Sequence, residues 1–194
     1  MFDLIILGGG PAGYLAGERA GHAGLNTLVI EERSLGGVCL NEGCVPSKTL
    51  LNSAKVLDYA NHASAYGVNV SGKATIDQKA VIARKNDVVK FLVGGVAMQL
   101  KKNKVTVAAG HGVIKGRSAD GFTVEVDGTP YEGKQLLIAP GSMPAVPPIP
   151  GLKEGLASGL VLTNREILDL TEVPAELVVI GGGVIGLEMA FYYN

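Results

Sequence analysis

The chain holds two cysteines in 194 residues, and both stand in one glycine-framed stretch, Gly36-Gly37-Val38-Cys39-Leu40-Asn41-Glu42-Gly43-Cys44-Val45-Pro46-Ser47-Lys48. Thiols this close could form a metal site, a structural crosslink or a redox pair. Zinc needs further ligands, but His22, His62 and His111 fall on different segments, so no metal is expected. A structural disulfide over so short a loop would constrain the unfolded chain little. Catalytic thiols are favoured. On a regular helix, residues five positions apart rise by about 7.5 Å, too far for an S–S bond. The two cysteines therefore need a distorted turn, which Gly43 is expected to permit through a positive φ. A helix starting directly afterwards favours a thiolate through its N-terminal dipole, and Lys48, one turn beyond Cys44, adds a positive charge. Glu42 acts against both.

Such a pair needs something to react with, and the start of the chain offers a frame for it. Leu4–Leu7 reads as a strand running into Gly8-Gly9-Gly10-Pro11-Ala12-Gly13, where glycines 8, 10 and 13 fit G-x-G-x-x-G. Pro11 suits a first helical position. Ala12, Ala16, Gly17 and Ala20 give the next helix a small-residue face for close packing on a sheet. Leu28–Ile30 then forms a second strand ending in Glu31 and Glu32. Strand, glycine turn, helix and strand with a terminal carboxylate make up the dinucleotide-binding βαβ unit. Its glycines admit a pyrophosphate to the backbone N–H groups at a helix N-terminus, and the carboxylate accepts from ribose hydroxyls.

The remaining elements follow from periodicity and punctuation. A helix is expected from Ser47 to about Tyr59, with apolar positions 50, 51, 54 and 57. A capping box, Thr75-Ile76-Asp77-Gln78, opens a long helix to about Asn103 that contains Gly94-Gly95. The charges Arg84, Lys85, Lys90, Lys101, Lys102 and Lys104 are read as a solvated face. Strands are expected at Val105–Ala109, His111–Lys115, Phe122–Val126 and Leu136–Ala139, with a turn at Asp127-Gly128. Five prolines between Pro140 and Pro150 mark a linker. Thr163-Asn164-Arg165-Glu166 is a second capping box, leading a short helix to about Leu170. Glu176–Ile180 reads as a strand ahead of Gly181, Gly183 and Gly186, which repeat the first fingerprint. Asn194 falls inside the helix expected next, so the sequence reads as a piece of a longer protein with two dinucleotide sites.

Composition sets outer bounds. Hydrophobic residues make up 47% and charged residues 18%, with a net charge of -1, enough for a packed core and unlike a disordered or nucleic-acid-coating chain. No run approaches the roughly 20 apolar residues of a membrane span. The N-terminus lacks a basic leader region, and two cysteines do not make a secreted disulfide framework. A cytoplasmic setting is expected, with neither nucleic acid nor membrane as partner.

The dithiol stretch resembles the active-site signature of the pyridine nucleotide-disulfide oxidoreductases. Leu40 and Val45-Pro46-Ser47-Lys48-Thr49-Leu50-Leu51 resemble its members that act on dihydrolipoyl groups. The resemblance extends through both glycine fingerprints, Gly94-Gly95 and Ala139-Pro140-Gly141-Ser142. It implies an α/β fold: a Rossmann-like FAD-binding domain in a three-layer arrangement with a β-meander over residues 1–143, a Pro-rich linker at 144–151, and the start of a second, NAD-binding Rossmann domain at 152–194. It further implies that Cys39 exchanges with the lipoyl sulfur and Cys44 lies beside the flavin, with Lys48 near the flavin and paired with Glu188. FAD would be held by Gly8, Gly10, Pro11, Ala12, Gly13, Glu31, Glu32, Gly37, Val38, Cys39 and Lys48, with Gly112, Gly141 and Ser142 as further contacts; NAD would lie on Gly181, Gly183 and Gly186. The implied reaction is dihydrolipoyl + NAD⁺ → lipoyl + NADH + H⁺. The implied partners are the lipoyl domain of a 2-oxo acid dehydrogenase or glycine cleavage complex and, for the whole protein, a second copy of itself.

Three features depart from the family pattern. Pro140 stands where the family usually has Thr, and Glu42 replaces a commoner apolar residue. The His-Glu acid–base pair, the dimer interface and a later FAD-binding Asp belong to family regions with no counterpart in these residues. Alternative expectations are a glutathione- or mercuric-reductase-like enzyme, or an FAD-binding module that is catalytically silent.

Overall fold

The computed structural model describes residues 1–194. It resolves into two compact units, one of Met1–Asn41 and Lys90–Met143, the other of Glu42–Val89 and Pro144–Asn194. The elements run β1 (Phe2–Leu7), α1 (Pro11–His22), β2 (Thr27–Glu31), α2 (Gly37–Asn41), α3 (Cys44–Asn61), α4 (Gln78–Lys102), β3 (Thr106–Ala109), β4 (Gly112–Ser118), β5 (Gly121–Val126), β6 (Thr129–Ile138), α5 (Leu152–Ser158) and α6 (Val184–Tyr193), with 3-10 turns at Ala63–Tyr66 and Glu166–Asp169.

The first unit is a six-stranded sheet in the order β3-β2-β1-β6-β5-β4. Strands β3, β2, β1 and β6 run parallel, while β4, β5 and β6 form an antiparallel meander. Strand β6 is longer than the expected Leu136–Ala139 because it serves both parts, and Gly133 stands opposite Phe2 on one side and Phe122 on the other. A Cβ on Gly133 would lie 2.6 Å from Ile5 Cγ1, so the residue that interrupts the apolar pattern is the one that lets the strands close.

Alternation along the strands creates three layers. Ile5, Leu7, Leu28 and Ile30 pack with Val124 and Val126 of the meander. Their neighbours Ile6 and Val29 face the other way and pack with Leu100 and Val105, with Tyr14 and Ala16 of α1 against them. The expected small-residue face of α1 is used: a Cβ on Gly17 would come within 2.9 Å of Val29 Cγ2. Each fully buried Ile or Leu here contributes about 1.5–3 kcal/mol of apolar transfer free energy.

The second unit is organised around Leu50, Ile82, Ile167, Leu168, Met189 and Tyr192. Two expectations are corrected here. The cap of α4 is Asp77, whose Oδ1 accepts from the Ala80 N–H at 3.0 Å, and not Thr75. Gln78 is instead drawn into the core, where Nε2 donates to the Leu170 carbonyl (2.8 Å) and Oε1 accepts from the Tyr192 hydroxyl (2.6 Å). Lys85 is not on a solvated face. It is 3% exposed and ion-paired with Asp169, as a buried ammonium requires. The other five cations of that group are exposed.

The expected strand Glu176–Ile180 does not form. No second strand pairs with it, and an unpaired strand leaves its amides and carbonyls without a ladder. Val178 is 86% exposed and Ile180 64%. No helix is long and apolar enough to cross a membrane.

Candidate functional site: a glycine turn and the thiol segment

Strand β1 runs into Gly8, whose φ is +100° and whose Cβ, if present, would lie 2.0 Å from the Ala139 carbonyl oxygen. A Cβ on Gly13 would lie 1.7 Å from the Gly8 carbonyl oxygen. No side chain fits at either position, so α1 starts flush against the strand end. Gly10 is its N-cap, Pro11 occupies the first turn, and no side chain caps the helix. Uncapped amides at a helix N-terminus, approached through glycine, suit a diphosphate.

Glu31, at the end of β2, borders this turn. One carboxylate oxygen accepts from the Gly9 N–H (2.7 Å), and the other accepts from the N–H groups of Arg33 (2.8 Å) and Ser34 (3.2 Å). A carboxylate has about four lone-pair sites, so capacity for a hydroxyl donor remains. The glycine turn and Glu31 therefore fit a dinucleotide. Glu32 points elsewhere and pairs with His111 Nδ1 at 3.0 Å on an exposed surface. A Cβ on Gly112 would lie 2.4 Å from Leu7 Cδ2, which gives this glycine a packing role in the core. Gly141 adopts φ +77° in open surroundings, and Ser142 beside it is exposed.

The segment bearing Cys39 is docked on this turn. The Gly36 N–H donates to the Gly9 carbonyl at 2.8 Å, and a Cβ on Gly37 would stand 2.6 Å from Gly10 Cα. Gly36 and Gly37 have φ of +91° and +57°. Val38 and Cys39 follow, half-buried, in α2. Asn41 fastens this helix, its Nδ2 donating to the carbonyls of Leu35 (3.0 Å) and Gly37 (2.9 Å). Sequence reasoning passed over Asn41; its only signal was an amide side chain inside the signature.

The expected positive φ at Gly43 is not found: its φ is -145°. The irregular turn is made by a break between two helices. α2 ends at Asn41 and α3 begins at Cys44, three residues before the expected Ser47. Neither cysteine is in a disulfide, and Cys44 is exposed at the first position of α3.

In the second unit Lys48 of α3 forms an ion pair with Glu188 of α6. This pair lines a groove of about 780 Å³, together with Leu51, Asn52, Lys55, Asp58 and Tyr59 of α3 and Val184, Leu187 and Phe191 of α6. The second glycine turn repeats the first in backbone form: Gly181 has φ +107°, and Gly183 is the uncapped N-cap of α6. Gly181, Gly183 and Gly186 border a recess of about 380 Å³. Nearby, burial pushes the Tyr193 hydroxyl up to about 12, with the neighbouring Tyr192 adding to the shift.

A glycine turn repeated after residue 180, and a thiol helix seated on the first copy, define a dinucleotide-binding redox class. The family model for pyridine nucleotide-disulphide oxidoreductase matches residues 2–194, and the chain belongs to that family. It is 44% identical over 193 residues to a dihydrolipoyl dehydrogenase of Acholeplasma laidlawii, covering 100% of this chain and 56% of the relative. A dihydrolipoyl dehydrogenase of Mycoplasma pneumoniae is 44% identical over 192 residues, covering 99% of this chain and 41% of its own. Among solved structures, the HOCl-induced flavoprotein disulfide reductase RclA from Escherichia coli superimposes with a TM-score of 0.78 at 29% identity, over 98% of this chain and 39% of that one. The chain thus spans about half the length of the relatives it matches.

Proposed function

We propose that the whole protein is an FAD-dependent disulfide oxidoreductase that oxidises dihydrolipoyl groups with NAD⁺. The observation that carries this reading is the seating of α2, with Cys39, on the glycine turn through the Gly36–Gly9 hydrogen bond and the Gly10–Gly37 contact. The names of the relatives support the lipoyl substrate class. In this reading the two thiols of a dihydrolipoyl group give two electrons and two protons to a Cys39–Cys44 disulfide, so one S–S bond forms as the other breaks. Bound FAD would supply the two-electron relay between dithiol and nicotinamide.

Cys39 is the exchanging thiol and Cys44 the flavin-side thiol. Lys48, held by Glu188, serves the flavin side. Gly8, Gly10, Pro11, Ala12 and Gly13 take the FAD diphosphate and Glu31 a ribose, with Gly37, Val38, Gly141 and Ser142 along the same cofactor. Gly181, Gly183 and Gly186 take NAD. Residues 1–143 belong to the FAD domain, 144–151 to a linker and 152–194 to the NAD domain. Lipoyl domains of 2-oxo acid dehydrogenase or glycine cleavage complexes are the partners, the assembly is a homodimer, and the setting is the cytoplasm.

The test is NAD⁺ reduction by the whole protein with dihydrolipoamide against reduced glutathione. Strong preference for dihydrolipoamide is expected; equal rates, or preference for glutathione, would overturn the substrate assignment.

A further inference from the structure

The turn between the two thiols is held by a part of the chain that is more than a hundred residues away in sequence. Glu42 Oε2 lies 2.6 Å from Arg165 Nε in an ion pair with side-chain exposures of 17% and 25%. The carbonyl of the same Glu42 accepts from Asn164 Nδ2 at 3.1 Å. Asn164 and Arg165 are presented by the second capping box. There the Glu166 carboxylate accepts from the Thr163 N–H (2.6 Å) and hydroxyl (2.6 Å), and the Arg165 N–H donates to Thr163 Oγ1 at 3.2 Å. The Thr163 hydroxyl bond, followed by backbone bonds, holds the Glu166 carboxyl below its ordinary value despite some burial, so the box is intact at neutral pH.

Only Gly43 separates Glu42 from Cys44. A carboxylate there destabilises a thiolate and so disfavours the reduced pair. A guanidinium on that carboxylate offsets part of this effect, and because both side chains are largely withdrawn from solvent the offset is less screened than at an open surface. We propose that Arg165 is a positioning residue that sets the thiol–disulfide equilibrium of Cys39 and Cys44 by neutralising Glu42, while Asn164 fixes the same turn through its backbone. This inference rests on the dithiol assignment above and deepens it.

The test equilibrates the 194-residue chain with glutathione buffers at pH 8, quenches with acid and reads the Cys39–Cys44 disulfide by peptide mass. The two thiols pass two electrons and two protons to glutathione disulfide; an S–S bond forms between Cys39 and Cys44 as that of glutathione breaks to two thiols. Arg165→Gln is expected to favour the disulfide by roughly two- to fivefold, Glu42→Gln to disfavour it by a similar factor, and the double variant to return within about twofold of the parent. Arg165→Lys, which keeps the charge, is expected to stay near the parent, and 1 M salt to compress both single shifts. Single variants that shift in the same direction, or by amounts that salt leaves unchanged, would show a merely structural latch and overturn the inference, as would no shift. A parent chain that forms no Cys39–Cys44 disulfide at any glutathione ratio would overturn the dithiol assignment itself and this inference with it.

Discussion

The chain builds the same strand–glycine–helix turn at residues 8–13 and 181–186, and the two copies live in different surroundings. Gly8 and Gly181 share φ of +100° and +107°, and the N-caps Gly10 and Gly183 share φ of -72° and -74°. The first turn closes a strand paired on both sides. The second follows a segment with no strand partner, whose Val178 and Ile180 are exposed. Glycine spacing and helix initiation thus reproduce the turn locally, whereas a strand exists only where another strand shares its hydrogen bonds. The contrast narrows to a matter of degree at the third glycine: a Cβ on Gly13 would lie 1.7 Å from the Gly8 carbonyl oxygen, one on Gly186 3.3 Å from that of Gly181 and 2.9 Å from Val179 Cγ1.

The largest expected effect breaks the first turn. Gly13→Val is expected to cost about 3 kcal/mol or more in urea unfolding followed by circular dichroism, since its Cβ would overlap the Gly8 carbonyl. Gly186→Val, whose Cβ would meet the movable Val179 Cγ1 at 2.9 Å and only approach the Gly181 carbonyl oxygen at 3.3 Å, should cost less, about 1 kcal/mol, and equal losses would erase the comparison. Next, Ile6→Ala, in a fully buried position, should cost about 2–5 kcal/mol, against about 0.5 kcal/mol or less for Val178→Ala.

A smaller effect is confined to the second unit and depends on pH. Tyr193 ionises at about 12 in the folded chain against an ordinary 10.0. The neutral phenol, which donates to the Ile167 carbonyl at 2.9 Å, therefore contributes stability that is complete below pH 10.0 and lost as pH rises through about 12. Stability in urea unfolding should fall across that window, and Tyr193→Phe should reduce the fall, leaving the share of Tyr192, whose hydroxyl burial also pushes up. Glu166 has the opposite sign: its carboxyl is held below the ordinary 4.5, so its contribution is present above that pH and disappears as pH falls. The smallest effect on stability is that of Glu188→Gln. The partner Lys48 is mostly solvated, so the change should be under about 1 kcal/mol in urea unfolding.

The first βαβ unit was legible because each of its signals is local: glycines where no Cβ fits, a proline at the helix start, a carboxylate at the strand end. The apolar runs Leu4–Leu7 and Leu28–Ile30 likewise read as strands, and in the fold they are packed on both faces. What escaped depends on partners distant in sequence. Lys85 looks like any helix-surface lysine until Asp169 reaches it, and Gln78 looks like a cap until Tyr192 and Leu170 draw it inward. Gly112 also borders the core, where a Cβ would meet Leu7 Cδ2 at 2.4 Å. Gly43 seemed to need a positive φ, but a break between α2 and α3 separates the thiols from any single helix, and the positive φ values fall at Gly36 and Gly37. The expected Lys48–Glu188 pairing rested on family resemblance, since 140 residues separate the two in sequence.

The central claim is that Cys39 and Cys44 form a redox pair in which Cys44 is the thiol on the flavin side. Its most direct test is the absorption spectrum of the whole, FAD-loaded protein after two-electron reduction. The account requires a long-wavelength thiolate–flavin band that persists in Cys39→Ser and vanishes in Cys44→Ser. A band that vanishes in Cys39→Ser and persists in Cys44→Ser would reverse the two roles, and its absence from the parent protein would contradict the claim.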